Sequence, residues 1–309
     1  AATTATQAVD TAAPSAPVIT GITTPNSDST PTITITAEAG STVTVYANGA
    51  VLAGNITEVS GTFTFTPTAG LPDGNYRITA TAEDAVGNVS AEATVQDVVI
   101  DAVQAGVPVI ASTSLTNDTT PVISGTAEVG SSVNVTLGSG ANTSTWTVVA
   151  TDGRWSIDTG VASTSTAGTG HTIAVNGANA VSVTATDSAG NVSAAATQTL
   201  TVDSAAPTVT ITDDQAAVTV NGDITFTITF SEEVSGFTAS DITVANGTAG
   251  TFTQTSPTTY TLVVTPDAGL ADNVSVGVAA NIAADLAGNN NTAATTATQA
   301  VDTAAPSAP

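Results

Sequence analysis

The chain has 309 residues, of which 41% are hydrophobic and only 4% aromatic, so two or three domains with cores of small aliphatic side chains are expected. Its 26 acidic residues face two arginines and no lysine, and the formal net charge of −24 excludes nucleic acid and anionic membrane surfaces as partners. The chain has no cysteine to form disulfides, and no apolar run is long enough for membrane insertion. Such acidity is typical of a secreted or salt-adapted protein, but it also resists compaction unless multivalent cations neutralise it.

The two ends of the chain carry the same sequence. AATTATQAVDTAAPSAP fills the first seventeen positions and recurs letter for letter in the last seventeen. We therefore expect one period of a tandem array, in which residues 1–9 form the last strand of a preceding repeat and residues 302–309 form the linker to the next. The expected partners are adjacent repeats of the same chain.

A recurring linker motif divides the chain between these ends. V-D-T-A-A-P occurs near both ends, V-D-S-A-A-P lies between them, and I-D-A-V-Q-A-G-V-P is a looser version. The linker aspartates are Asp10, Asp101, Asp203 and Asp302. Their spacings of 91, 102 and 99 residues suit β-sandwich domains. The predicted domains are 10–100, 101–202 and 203–301.

Strands with one buried face are predicted throughout, in chain order from T-I-T-I-T at 32–36, T-V-T-V at 42–45 and T-F-T-F at 62–65 to I-T-F-T-I-T-F at 224–230. Turn-forming residues separate these runs, and no stretch has a helical period. Tyr76 follows the L-P-D-G-N turn, where a tyrosine corner would lie. The predicted fold is all-β, with three tandem immunoglobulin-like β-sandwich domains forming an elongated rod.

The second domain differs from the first by a net insertion of 13 residues between Leu137 and Ala180. It also contains both tryptophans, Trp146 and Trp155, and the single histidine, His171. A lone histidine with no nucleophile beside it does not indicate catalysis, so the chain is not expected to be an enzyme. The insertion and the two indoles leave one alternative open, a ligand- or glycan-binding adhesive module centred on this domain.

Several motifs together resemble the bacterial Ig-like repeats of giant adhesins exported by type I secretion, the RTX adhesins. These motifs are the V-D-x-A-A-P linkers, T-A-E-x-G-S, D-x-x-G-N-x-S, and S-E-E-V-S-G-F-T-A-S-D-I-T-V-A-N-G-T at 231–248. The resemblance implies an extender segment at the bacterial cell surface, outside the cell. It also implies Ca²⁺ at or near the domain junctions, and an adhesion target bound by another region.

The order of strands in such a sandwich places carboxylates at the junctions. The B–C and F–G loops lie at the end of a domain where the linker enters, so each linker aspartate should meet one acidic residue from each loop. The predicted groups are Asp10 with Glu38 and Asp84, Asp101 with Glu128 and Asp187, and Asp203 with Glu233 and Asp285. Glu232, beside Glu233 in the same loop, is also expected to approach Asp203. Ca²⁺ takes six to eight oxygen ligands, which three carboxylates with loop carbonyls and water can provide.

Loops at the far end of the preceding domain offer further oxygens. Asp28 and Asp73 would add to the junction at Asp101, and Asp118 to the junction at Asp203. Turn formation alone is the competing interpretation of these residues and of D-x-x-G-N, because aspartate readily accepts hydrogen bonds from the backbone of a turn.

Overall fold

The computed structural model describes residues 9–216 and 220–306, and in this part of the chain the regular structure is 24 strands and one short 3₁₀ helix. Alternation of threonine with valine, isoleucine and phenylalanine gives each central strand one buried face; in β2 (Ile33–Thr36), Ile33 and Ile35 are fully buried while Thr34 is half-buried and Thr36 is exposed. Three separate hydrophobic cores result, one in each of three consecutive β-sandwiches. The prediction of tandem immunoglobulin-like sandwiches is confirmed. The strand predicted within residues 1–9 falls almost wholly outside the described residues, as does the end of the linker at 307–309.

The first domain has eight strands in two sheets. They are β1 (Val18–Thr20), β2 (Ile33–Thr36), β3 (Thr42–Ala47), β4 (Ala50–Val51), β5 (Gly54–Val59), β6 (Thr62–Pro67), β7 (Gly74–Glu83) and β8 (Gln96–Ile100). One sheet has the order β1-β2-β6-β5 and the other β4-β3-β7-β8. In immunoglobulin lettering these are the A-B-E-D and C′-C-F-G sheets, so the B–C loop joins β2 to β3 and the F–G loop joins β7 to β8.

Two tight hairpins set the register in this domain. Asn48 and Gly49 join β3 to β4, and Ser60 and Gly61 join β5 to β6, all four with positive φ. Two-residue turns of this kind match the right-handed twist of the strands they connect. The Tyr76 hydroxyl donates to the Pro72 carbonyl at 2.8 Å, which is the hydrogen bond of a tyrosine corner.

The second domain has nine strands and a different strand arrangement. They are β9 (Val109–Ile110), β10 (Leu115–Thr116), β11 (Val122–Thr126), β12 (Ser132–Ser139), β13 (Asn142–Val149), β14 (Arg154–Asp158), β15 (Ser165–Ala167), β16 (Gly177–Thr186) and β17 (Ala196–Val202). The sheets are β9-β11-β14 and β10-β17-β16-β12-β13-β15. Strand β13 pairs with β12 rather than with β14, so the inserted residues lengthen one sheet and leave β14 at the edge of the other.

Both tryptophans of the chain lie in the core of this domain. Trp146 on β13 is 9% exposed and Trp155 on β14 is 3% exposed. Both belong to the same cluster of buried hydrophobic residues. The indole N–H of Trp146 donates to the Val161 carbonyl at 2.9 Å, which attaches the inserted segment to the core.

The third domain returns to the arrangement of the first. Its strands are β18 (Val209–Asp213), β19 (Ile224–Phe230), β20 (Ile242–Ala245), β21 (Gly247–Gln254), β22 (Thr259–Pro266), β23 (Ala271–Val278) and β24 (Ala297–Asp302), with the 3₁₀ helix at Ala239–Asp241. The sheets are β18-β19-β22-β21 and β20-β23-β24. Its B–C loop, from Ser231 to Asp241, is more than twice as long as that of the first domain, and Phe237 from this loop packs edge-on against Phe230 and Tyr260 in the core.

In every domain the chain segment ahead of the B strand (β2, β11 and β19) pairs in parallel with the last strand. Asn26 pairs with Ile100, β10 with β17, and Val220 with Val301. The chain therefore enters and leaves each domain along neighbouring strands. Within the described residues, no helix is long and apolar enough to cross a membrane.

The close packing of Trp155 on Gly125 predicts a strong effect of a single methyl group. A Cβ atom at Gly125 would lie 2.7 Å from Cζ2 of Trp155 and collide with the Val109 carbonyl oxygen. We expect Gly125→Ala to lower the free energy of unfolding of this domain by about 2–3 kcal/mol through overpacking. Tryptophan fluorescence during denaturant unfolding measures this domain alone, because both tryptophans are in it.

Gly106→Ala is the matched control, because a Cβ atom there meets nothing within 4 Å. Equal unfolding midpoints for the two variants would contradict the packing described for Trp155.

Candidate metal centre at the domain junctions

The F–G turn D-x-x-G-N has one geometry in all three domains. In the second domain, Oδ1 of Asp187 accepts the backbone N–H groups of Ala189 and Asn191 at 2.8 and 2.9 Å, and its Oδ2 accepts the side-chain amide of Asn191 at 2.9 Å. Asp84 makes the equivalent bonds. Asp285 makes the same two bonds to its motif asparagine, Asn289, while its Oδ1 accepts the backbone N–H of Gly288 at 2.7 Å. The aspartate therefore builds the turn, and the glycine of the motif adopts positive φ at its centre.

These hydrogen bonds lower the pKa values of two of the carboxyl groups. The side-chain and backbone N–H groups of Asn88 hold the pKa of Asp84 below its ordinary value. Partial burial pushes the pKa of Asp187 upward, but the bonds from Asn191 and the turn backbone outweigh it, and that pKa is also lowered. Both carboxylates are thus stabilised in the charged form without a cation.

In the part of the chain that the structure describes, three carboxylates meet only at the third junction, the one that contains Asp203. Asp203 from the linker, Glu232 from the B–C loop and Asp285 from the F–G turn each place an oxygen within 4.8 Å of the other two. Asp285 is buried, and the other two are half-buried. Burial first, and then the charges of Asp285 and Asp203, raise the pKa of Glu232 above its ordinary value.

The glutamate in this group is Glu232, whereas Glu233, the one named as the ligand from the sequence, lies outside it. The strand β19 ends at Phe230, and Val234 re-enters the core, so the intervening residues alternate in direction. Glu232 turns toward the linker, while Glu233 is exposed and its charge helps raise the pKa of Tyr260 after the larger effect of burial.

The first two junctions lack such a group within the described residues. Glu38 and Glu128 are exposed, and their backbone carbonyls, rather than their carboxylates, accept hydrogen bonds from Ser41 and Ser131. Their B–C loops are shorter than the loop of the third domain. Within the described residues, Asp10 and Asp101 form no group of three with the glutamate and the F–G aspartate predicted for them.

The three aspartates predicted from the far loops accept hydrogen bonds in turns. Asp28 and Asp118 each accept the N–H and hydroxyl of the threonine two residues later. Asp73 accepts the backbone N–H of Ala102 at 2.8 Å, so it holds the linker directly after Asp101.

Sequence reasoning missed a set of asparagines at the same junctions. The side-chain amides of Asn88, Asn191 and Asn289 donate to the backbone carbonyls of Asp10, Asp101 and Asp203 at 3.3, 2.8 and 2.8 Å. The signal is present in the sequence, because each asparagine ends the repeated D-x-x-G-N motif, but only the aspartate of that motif is predicted to act at the junction.

The donor set at the third junction fits a hard divalent cation. Oδ2 of Asp285 accepts a single hydrogen bond, from the amide of Asn289, which leaves it a free lone pair. Oδ1 of Asp203 accepts only the N–H of Ala205, at 3.0 Å. Ca²⁺ accepts a flexible set of carboxylate, carbonyl and water oxygens, whereas Mg²⁺ rarely uses all-protein sites.

The raised pKa of Glu232 predicts a pH dependence of stability in a chelator. Below its ordinary value of 4.5 the group is protonated in both states; as pH rises through the raised folded pKa, the folded state loses stability. We expect the third domain to unfold at a lower temperature at neutral pH than near pH 4.5 for this reason. Glu232→Gln should remove this loss, as measured by calorimetry of the full chain.

Glu233→Gln is the matched control, since that side chain is exposed and outside the group. If both variants kept the wild-type pH profile, the charge crowding at Glu232 would be refuted.

Several solved structures are similar to the chain. One is titled "Structural insight into host cell surface retention of a 1.5-MDa bacterial ice-binding adhesin", with 20% identity, coverage of 89% of this chain and 92% of that chain, and a TM-score of 0.36. Fibronectin(III)-like modules of Clostridium thermocellum CbhA show 16% identity, 61% and 95% coverage, and a TM-score of 0.37. A tandem from titin shows 9% identity, 93% and 98% coverage, and a TM-score of 0.26. With identities and TM-scores this low, these likenesses carry no argument about function.

No curated protein sequence is significantly similar to the chain. Family models do match: one bacterial Ig-like domain model matches residues 4–102 and 109–204, and a second matches residues 203–301. These matches cover nearly the whole chain, and the chain therefore belongs to the bacterial Ig-like domain family.

Proposed function

We propose that the chain is a spacer segment of a large bacterial cell-surface adhesin, located outside the cell and without enzymatic activity. The observation that carries this proposal is the series of three sandwiches in which the clustered acidic side chains lie where one domain follows another. Such a series sets length and direction, and another region of the protein binds the target. Each domain would add about 40 Å, the length of a strand of roughly 12 residues at 3.3 Å each.

Calcium at the third junction is the proposed stiffening device. A cation held by Asp203, Glu232 and Asp285 would tie the linker to two loops of the third domain and offset their mutual repulsion. In a calcium-poor cytosol the repulsion at this one junction would persist and loosen it, which suits export by type I secretion. Extracellular calcium would then straighten the rod.

The alternative function, a glycan site in the second domain, depended on the two tryptophans as part of the binding surface. Trp146 and Trp155 are buried in the core and offer no exposed aromatic face for a sugar ring. A cleft of about 450 Å³ is lined by Trp146 and His171, and Nε2 of His171 is already hydrogen-bonded to Oδ1 of Asn179 at 2.9 Å. We therefore propose no second function.

Calcium binding is tested by calorimetric titration of the full chain with Ca²⁺ and, separately, with Mg²⁺. We expect Ca²⁺ to bind and to raise the unfolding temperature of the third domain, because a ligand that binds the folded state stabilises it. Small-angle scattering should show a larger maximum dimension with Ca²⁺ than with a chelator.

The double variant Asp203→Asn, Glu232→Gln should lose both effects, and Glu233→Gln should keep them. Equal calcium binding by the wild type and the double variant would show that any site lies elsewhere. An unchanged maximum dimension with and without Ca²⁺ would refute the stiffening role.

A further inference from the structure

One linker residue at each internal junction is hydrogen-bonded by both of its neighbouring domains. The N–H of Asp101 donates to the Asn26 carbonyl in the first domain at 3.0 Å. Its carbonyl accepts the side-chain amide of Asn191 in the second domain at 2.8 Å. The two polar groups of a single residue therefore belong to different domains.

The next junction repeats this arrangement. The N–H of Asp203 donates to the Thr116 carbonyl in the second domain at 2.9 Å, and its carbonyl accepts the amide of Asn289 in the third domain at 2.8 Å. Each outer linker shows one of these two bonds. Asn88 donates to the Asp10 carbonyl, and the Asp302 N–H donates to the Val220 carbonyl.

The residue after each of these aspartates is also held by the preceding domain. The N–H of Ala102 donates to Oδ1 of Asp73 at 2.8 Å, and the N–H of Ser204 donates to Oδ1 of Asn176 at 2.7 Å. The acceptor is a carboxylate in one case and an amide in the other, so the bond does not depend on charge.

The F–G turn fixes the asparagine that completes the arrangement. Oδ2 of Asp187 accepts the amide of Asn191, which leaves the second amide hydrogen directed at the linker. The preceding domain also approaches the turn closely. A Cβ atom at Gly190 would lie 4.0 Å from Oγ of Ser27, and one at Gly288 would lie 3.5 Å from the side-chain amide of Asn117.

We infer that Asp101 and Asp203 are bridging residues, linker residues shared by two domains, and that they restrict domain motion without any cation. Asn191 and Asn289 are the positioning residues of this interface. At each of these junctions a single linker residue makes hydrogen bonds to both domains. No unbonded residue lies between the two bonds, so the usual freedom of a linker is absent. The inference rests on the proposed spacer role and adds to it, because two junctions become stiff before calcium acts at one of them.

Pulsed electron–electron double resonance on the full chain tests the junction at Asp101. The natural sequence has no cysteine, so spin labels can be placed with Thr57→Cys in the first domain and Thr199→Cys in the second, both at exposed strand positions. In chelator we expect a narrow distance distribution for this labelled chain. Asn191→Ala should broaden it, because loss of one net hydrogen bond raises the population of released linker states roughly fivefold.

Two controls isolate the effect. Asn88→Ala removes the same side chain from the same turn of the first domain, where it contacts Asp10, and should leave the distribution unchanged. Asp73→Asn should also be silent, because Asn176 makes the corresponding bond in the second domain. Tryptophan fluorescence confirms that the second domain of each variant remains folded at the temperature of measurement.

The outcomes separate this inference from the proposed calcium role. A wild-type distribution in chelator as broad as that of Asn191→Ala would overturn the bridging role, while calcium binding at Asp203 would still stand. A narrow wild-type distribution that Asn191→Ala broadens would support the bridging role even if Ca²⁺ proved to have no effect on the maximum dimension.

Discussion

The hydrogen bond from a turn asparagine to the carbonyl of a linker aspartate is the interaction on which the arrangement of the chain depends. A linker between sandwiches has no ladder partner for its backbone groups, and such groups are paired with protein or water. Here the turn of the following domain provides the donor, and the preceding domain provides the acceptor for the neighbouring N–H. The D-x-x-G-N sequence is therefore a junction element as well as a turn, and its repetition in three domains has a physical reason.

The acidic residues divide into two classes around this element. Asp84 and Asp187 are stabilised as anions by the N–H groups that their own turns direct at them. Glu232 has no such donors and is crowded by Asp285 and Asp203, which makes its ionisation unfavourable in the folded chain. The large negative charge is therefore crowded at one junction in the described part of the chain, where three carboxylates lie close together.

Much of the fold was predictable because period-2 patterning and turn residues are local signals. The runs at 32–36, 42–45, 62–65 and 224–230 all became strands, and Tyr76 formed its corner bond. The transfer of β13 to the other sheet was not predictable, since it depends on which edge the inserted residues can cover. At the site, topology correctly brought Asp203 and Asp285 together. The choice between Glu232 and Glu233 depended on which side chain the re-entry of Val234 turned toward the linker. The role of the asparagines was not predictable, because the sequence does not show where the linker carbonyls point.

The parallel pairing of the entering and leaving segments determines how a domain responds to tension. When the two ends of the chain are pulled apart, the pairs Asn26–Ile100, β10–β17 and Val220–Val301 must slide past one another along the strand direction. Their hydrogen bonds are then strained together rather than broken one at a time from an end. A domain pulled in this direction would thus bear the force on several backbone hydrogen bonds at once.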